Sequence, residues 1–492
     1  MKRVFQFLMI SMVVPALAMA QQPSQGSQSQ GSQNLTLDQC IQYALDNSIN
    51  IKNAAIDEEI ADARVKETRG IGLPQIDATV GLLHNQKLPR FFTQHFTPVE
   101  GEESFFDLSG IPGIQDGDVV GLPNFFQLKS SGNAAININQ ILFNGSYLVG
   151  LKAASAYREL SIRTSRQSKE QTIQQVTKAF YGVLINKDRM NLFDNNIARV
   201  DSLLKTTQAL NKNGFAEGID VDRIQVTLNN LMAERDKFYN LQELAVHLLK
   251  FQMNYPMDQS LDVAGDIASL QVDEGLLKNY ELDWDYTKRS DYALLEASRN
   301  LQSLDVRNKF SSALPSLSAF ANLGYSTQSP TISGLFKTDT RGVESTDSYG
   351  PDKWYSFSSF GVNLNIPIFS GLQRSYRLQQ AKLNLLKIEN NFTSLKSAID
   401  LEVRQAAISY LNAIKSLESQ RANSALAQNI ARITKIKYEE GVGSNLEVIE
   451  AEASLKESQI NYYSALYDAL IAKVDLDKAY GKLVPATETE SK

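Results

Sequence analysis

The residue types that most often do chemistry are scarce in this chain and are not grouped. Its 492 residues include three histidines, His84, His95 and His247, and a single cysteine, Cys40. No nucleophile motif, phosphate-binding loop or cluster with metal-ligand spacing accompanies them. We therefore expect no enzyme activity, no cofactor and no metal site. His247 is expected to be a packed helix residue and Cys40 a small apolar one.

Glu447 and Glu450 are the acidic pair with the most informative position. They lie three residues apart, on one face of a predicted helix and just beyond a glycine-containing turn. Such a pair is ordinarily part of a solvated surface. A functional role would require a symmetric assembly that brings several copies around one axis. The elements that position the pair therefore decide its meaning.

Composition and charge limit the class of protein. The net charge is −6 and no basic stretch is clustered, so we expect no nucleic-acid binding. Residues 1–20 have the basic start, apolar run and small-residue end that are typical of a secretory signal peptide. No later apolar run reaches the roughly 18 residues of a membrane-spanning helix, so any membrane segment must consist of strands. Residues 21–34, rich in Gln, Ser and Gly, predict a flexible leader.

An internal repeat organises the rest of the chain. Similar segments recur in the same order, residues 73–78 at 314–319, 135–145 at 361–371, and 213–221 at 440–448. The first repeat is predicted to cover residues 35–254 and the second 286–480. An equatorial connection at 255–285 and a C-terminal tail at 481–492 complete the chain.

Each repeat predicts a helix, two strands, a very long helix and a further helix. The two shorter helices, placed end to end, match the roughly 100 Å of the long one. Apolar residues at heptad spacing, such as Val176 and Val183, favour coiled-coil packing. The predicted helices are Thr36 to Arg69, Ser146 to Asn213, Ile219 to Met253, Tyr286 to Ser312, Leu372 to Glu440, and Asn445 to Tyr480.

The strands predict membrane insertion. Each of the four has about 10 residues with an apolar face and a Ser, Asn or Gly face, as in outer-membrane barrels. A small soluble sheet is the alternative. Four strands cannot close a barrel, whereas three protomers would supply twelve. Both strand connections, residues 84–131 and 326–355, should lie at the same end, outside the cell. The first is rich in phenylalanine and predicts a packed rim, a plug or a partner surface.

Two junctions join strands to long helices. They are Phe143, Asn144 and Gly145 in the first repeat and Phe369, Ser370 and Gly371 in the second. We predict Asn144 and Ser370 to be the N-caps of the helices that follow.

Together with residues 438–441 and 446–451, these repeated motifs resemble the TolC family of outer membrane efflux proteins over almost the whole chain after the leader. The resemblance implies a homotrimer in outer-membrane lipid, with a twelve-stranded β-barrel and an α-helical periplasmic tunnel. It implies docking to an inner-membrane RND or ABC transporter through a periplasmic adaptor, or membrane fusion protein, for efflux or type I secretion. It places the pore constriction at Glu447, Glu450 and Asp220.

The two helix turns would then lie farthest from the membrane and would contact the adaptor. Their residues are Gly214, Phe215, Gly218, Gly441, Val442 and Gly443. Relatives often carry a basic residue where this chain has Gly443, so the links that close the tip would differ here. Two other classes fit part of the pattern. A periplasmic adaptor would have one helical hairpin inserted in small β domains, and a general porin lacks long helices.

Overall fold

The computed structural model describes residues 33–96, 111–124, 126–265, 267, 275, 277, 284–336 and 354–483. The predicted signal peptide, the leader up to residue 32 and the tail after residue 483 lie outside the described residues. So do about half of the equatorial connection and the central parts of both strand connections. No helix in the described ranges combines the length and apolar character needed to cross a membrane.

Long helices and one four-stranded sheet make up most of the described chain. The helices are α1 (Leu37–Asn47), α2 (Ile49–Ile71), α3 (Gly145–Lys212), α4 (Gly218–Met253), α5 (Ser290–Ser311), α6 (Gln373–Glu439) and α7 (Asn445–Ala479). The strands are β1 (Gln33–Leu35), β2 (Gln75–His84), β3 (Phe91–Gln94), β4 (Val119–Leu122), β5 (Ser130–Phe143), β6 (Leu261–Val263), β7 (Ser316–Ser329) and β8 (Tyr355–Asn365).

The shorter helices stack end to end along the long ones, as the sequence predicts. Helix α2 packs on the first part of α3, and α4 packs on the last part. The stack meets where Cys40 of α1 and Met253 of α4 join one buried cluster with Val176 and Val183 of α3. In the second half of the chain, α5 and α7 pack on α6 in the same way. The predicted heptad positions thus form the core of the helical body.

Two predicted helices are wrong in part, one in its interior and one at its start. The segment 36–69 is broken at Ser48, which has an extended ψ of 132°. Asn47 contributes to this break because its side-chain amide donates to the carbonyl of Tyr43, as short polar side chains do at helix ends. Helix α5 begins at Ser290 and not at Tyr286. The preceding Arg289 is extended, and Tyr286–Lys288 forms a short 3₁₀ turn.

The sheet is an antiparallel meander in the order β2-β5-β7-β8. His84 pairs with Ser130, and Ser326 pairs with Tyr355. Both long connections therefore leave from the same ends of the strands, as predicted. At the opposite ends of the strands, where the long helices follow, the second predicted repeat differs from the first. Strand β8 ends at Asn365, four residues before Phe369, because Pro367 has no backbone donor for the ladder.

The end of the predicted leader is structured. Strand β1 pairs in parallel with β6, with Leu35 opposite Val263. The Lys187 ammonium of α3 donates to the Asp262 carboxylate at 2.9 Å and holds this pair against the middle of the helical body. We call this level, where the helix stacks meet, the belt.

Candidate functional site at the helix tip

The turns after the two long helices are built alike, and we call this end of the molecule the tip. Gly214 and Gly441 have φ values of 80° and 74°, in the left-handed region that glycine adopts without strain. In each turn the next residue closes back on the helix, Phe215 N donating to Leu210 O at 2.8 Å and Val442 N to Lys437 O at 3.0 Å. These are the six-to-one bonds of helix C-caps that end in glycine.

The side chains predicted to contact an adaptor face outward at the tip. Phe215 is 80 % exposed and Val442 is 79 % exposed. Gly218 is the first residue of α4, and open space surrounds its Cα. Gly443 is different, because an added Cβ would lie 3.1 Å from the Tyr438 backbone nitrogen. A longer residue fits there only if the turn shifts.

The predicted constriction residues lie at the starts of α4 and α7. The backbone amide of Glu447 donates to Ser444 Oγ at 3.2 Å, which caps α7. The side chains of Glu447 and Glu450 are exposed, and no hydrogen bond or ion pair involves their carboxylates within the described chain. Asp220 is half-buried, 3.6 Å from the Arg223 guanidinium. Its backbone oxygen accepts a hydrogen bond from the Asn445 amide at 3.2 Å, so the structure brings the two helix starts together.

Further polar contacts join the two halves of the chain near the tip, and the sequence analysis missed them. The Arg199 guanidinium of α3 contacts the Glu452 carboxylate of α7 at 3.1 Å, where the Glu452 side chain is 9 % exposed. Thr207 of α3 shares a hydrogen bond of 3.0 Å with the Tyr438 hydroxyl of α6. Glu452 follows Val448 by four residues on the buried face of α7. A carboxylate in such an apolar stripe was the sequence signal that could have identified Glu452 as a residue with a buried partner.

The strand-to-helix junctions follow the prediction in one repeat only. Asn144 Oδ1 accepts from Tyr147 N at 3.0 Å, which confirms this N-cap. The prediction for Ser370 is wrong, because Gly371 and Leu372 both have positive φ and α6 begins only at Gln373. Ser370 Oγ instead accepts from Arg374 Nε at 2.9 Å.

The remaining candidates for chemistry, Cys40 and His247, are helix residues. Cys40 is fully buried, as predicted, and burial raises the pKa of its thiol to about 12. His247 is not packed as predicted. Its side chain is 45 % exposed, with Nε2 3.8 Å from Glu243. In the part of the chain that the structure describes, no group of His, Cys, Asp or Glu is placed to hold a metal ion.

The belt contains an enclosed network of charges. Arg289 has a side chain only 5 % exposed and pairs with Asp291 and Glu402, each at 2.7 Å. It also donates to the last carbonyls of α7, including Ala479 O at 3.1 Å. Burial alone would lower the pKa of this guanidinium, but the bonds to both carboxylates raise it above its usual value.

Comparison with known proteins identifies this architecture. Residues 292–482 match the family model described as outer membrane efflux protein. This part of the chain is similar to outer membrane efflux proteins. TolC of Vibrio cholerae is 21 % identical over 354 residues, which covers 71 % of this chain and 77 % of TolC. The similarity to these outer membrane proteins places the chain in the outer membrane.

Two further known proteins are similar to this chain. The alkaline protease secretion protein AprF of Pseudomonas aeruginosa is 21 % identical over 363 residues, covering 71 % of this chain and 68 % of AprF. The CmeC outer membrane channel of Campylobacter jejuni superposes with a TM-score of 0.65 at 16 % identity, covering 91 % of this chain and 85 % of CmeC. This superposition shows a shared fold.

Proposed function

We propose that three copies of this chain form a passive exit duct, a twelve-stranded β-barrel in the outer membrane that continues as a helical tunnel across the periplasm. The duct serves efflux or type I secretion. Its tip docks to a periplasmic adaptor, which connects it to an RND or ABC transporter of the inner membrane. The observation that carries the proposal is a sheet with two open edges at one end of a helical body about 100 Å long.

The open edges require other copies of the chain. Within the described residues, β2 and β8 each pair on one side only. Unpaired backbone groups cost several kcal/mol each in lipid, so the sheet must close. The four strands alternate in direction, so β8 of one copy can pair antiparallel with β2 of the next. Three copies give an aqueous interior, whereas an eight-stranded barrel from two copies would be filled by side chains.

The two faces of the sheet fit lipid outside and water inside. Val80 is 78 % exposed and Phe360 is 89 % exposed on the apolar face of a single copy. The opposite face carries Asp77, Asn137 and Ser359 at paired positions. Burying the apolar face in the bilayer stabilises the assembly in proportion to the area removed from water. The repeats, residues 35–254 and 286–480, would each supply two strands and one tip turn.

The tip is the proposed docking and closing end. The exposed Phe215 and Val442 lie at the far end from the sheet and offer apolar contacts to an adaptor. Threefold symmetry would place copies of Glu447 and Glu450 around one axis, close to Asp220, as acidic rings that favour cations. Two unit charges about 4 Å apart repel by about 4 kcal/mol at an effective dielectric constant of 20, so packing and polar links must offset this repulsion.

A transport assay tests the proposal. The chain is expressed in a host that lacks its own exit duct but retains adaptor and pump, and efflux of a fluorescent pump substrate is measured. We expect efflux with the native chain and loss of efflux with Phe215→Glu or Val442→Glu, while the trimer stays in the outer-membrane fraction. Leu148→Glu on α3, exposed near the sheet, is the matched control for added charge. Full efflux with the tip variants would refute docking through these turns.

Planar-bilayer recordings test the acidic rings separately. The double variant Glu447→Gln and Glu450→Gln should reduce cation preference and weaken block by divalent cations added from the periplasmic side. If selectivity and block stay unchanged, these carboxylates face solvent away from the pore. A chain that fractionates with soluble periplasmic proteins would instead support the adaptor alternative.

A further inference from the structure

The four-stranded sheet carries one fixed charge. Among the residues of β2, β5, β7 and β8, Asp77 is the only Asp, Glu, Lys or Arg. It is the third residue of β2, close to the end of the sheet where the helices begin. An ionisable residue within a membrane-spanning element is costly if it faces lipid, so its position generally reports a functional constraint.

The pairing register places Asp77 on the polar face. It lies directly opposite Asn137 of β5, which lies opposite Asn322 of β7, which lies opposite Ser359 of β8. Directly opposed residues of antiparallel strands point to the same side of the sheet. Two hydrogen bonds confirm the shared face, from Asn137 Nδ2 to Thr79 Oγ1 at 3.2 Å and from Asn322 Nδ2 to Ser359 Oγ at 3.3 Å.

This polar row crosses the whole sheet without a basic residue. Asp77 is exposed, and within the described chain no ion pair or hydrogen bond involves its carboxylate. In the neighbouring row toward the helices, on the same face, the Phe320 ring lies over Gly361. A Cβ on Gly361 would stand 2.8 Å from that ring.

We propose that Asp77 is a second charge-selective position of the duct, at the passage from helical tunnel to barrel. The inference rests on the proposed trimer, in which the polar row of each copy continues into the next and three Asp77 carboxylates face the lumen. The barrel is wide, so no ion is bound. The ring acts at a distance, raising the local concentration of cations and lowering that of anions. It therefore favours cationic over anionic solutes after they pass the tip.

Reversal potentials in planar bilayers test the inference, with wild type, Asp77→Asn and the tip variant Glu447→Gln/Glu450→Gln measured under a KCl gradient. We expect Asp77→Asn to lower the potassium-to-chloride permeability ratio about two-fold near 0.1 M salt, where the Debye length is about 10 Å. The difference should vanish near 1 M, where that length is about 3 Å. Adding Asn137→Asp to Asp77→Asn returns a carboxylate to the same row and should restore the ratio.

The outcomes separate this inference from the proposed function. If Asp77→Asn leaves the ratio unchanged at low salt while the tip variant lowers it, the duct stands and the second position is refuted. If wild type forms no ion-conducting channel, both fail. A labelling experiment tests independently whether residue 77 faces the lumen. Asp77→Cys should react with a charged, membrane-impermeant thiol reagent in the open channel, with the buried Cys40 as the unreactive internal control. No reaction of the introduced thiol from either side of the bilayer would overturn the inference.

Discussion

The belt and the sheet differ in how far one chain completes them. At the belt, α1, α3, α4, α7 and β6 share one buried cluster, and Arg289 is enclosed by two carboxylates and a helix end. In the sheet, every residue of β2 is exposed, as are almost all residues of β8. The chain thus supplies its own core at the belt and leaves both faces of the sheet uncovered.

The stability of one chain and the assembly of several chains therefore depend on different parts of the molecule. The helical body can form around its own apolar contacts, because long helices gain most of their stability from packing. In the proposed trimer, the sheet gains comparable burial from lipid and from neighbouring copies. Substitutions at the belt should therefore act on the folding of each chain, and substitutions in the sheet should act on insertion and assembly.

The largest effect is expected at Arg289. The change Arg289→Met leaves Asp291 and Glu402 without their cation and removes a donor from the end of α7. Breaking a buried charge network by removing one partner costs about 3–5 kcal/mol. Arg299→Met is the control, since Arg299 is about half exposed and lies 3.9 Å from Glu296. Thermal unfolding should show a large loss for the first variant and little change for the second. Equal losses would show that the belt is not specially dependent on Arg289.

A smaller effect, confined to insertion, is expected in the sheet. Phe360 and Ser359 are neighbours on β8 with opposite orientation. An arginine on a lipid-facing barrel position costs about 2–4 kcal/mol at the bilayer midplane, whereas a lumenal one is tolerated. Phe360→Arg should reduce the amount of outer-membrane trimer, and Ser359→Arg should not. The reverse order would mean that the assigned faces are exchanged.

At the tip, glycine turns should give a still smaller effect. An L-residue at the positive φ of Gly214 or Gly441 costs roughly 1–2 kcal/mol. Gly218 has ordinary helical geometry and open space around it, so Gly218→Ala should be neutral or slightly stabilising. Hydrogen exchange at the ends of α3 and α6 should increase in Gly214→Ala and Gly441→Ala only. Equal exchange in all three variants would show that an alanine at these positive φ values does not strain the turns.

The smallest effect is expected for the link between Thr207 and Tyr438. Thr207 is fully buried, and its hydroxyl bonds the Tyr438 hydroxyl. Loss of one such hydrogen bond costs about 0.5–1.5 kcal/mol. In a double-mutant cycle, Thr207→Val and Tyr438→Phe should each destabilise the tip, and the double variant should cost little more than either. Strict additivity would mean that the two side chains act independently.

The sequence predicts the regular parts of this molecule better than its junctions. Proline-free heptad runs identify α3 and α6, because periodic burial along a long helix is a strong signal. The extended Arg289 depends on contacts with Glu402 and the end of α7, which no local pattern contains. The left-handed Leu372 is a further departure, because a bulky residue rarely adopts positive φ and its sequence does not indicate it.

The candidate site divides in the same way. Gly214 and Gly441 were identifiable because a turn after a helix favours glycine. The contacts of Glu452 with Arg199, and of Asn445 with the Asp220 backbone, join segments more than 200 residues apart. Their partners follow from tertiary packing, so the sequence could at most flag Glu452 as a carboxylate on an apolar face. Whether Glu447 and Glu450 line a pore depends on threefold assembly and remains a prediction.

We propose that one chain cannot close its own sheet. The most direct test is the mass of the purified protein in detergent, measured by light scattering with the detergent contribution subtracted, together with its conductance in planar bilayers. We predict three chains per particle and channel activity only in that form. A stable single chain that conducts ions would contradict it.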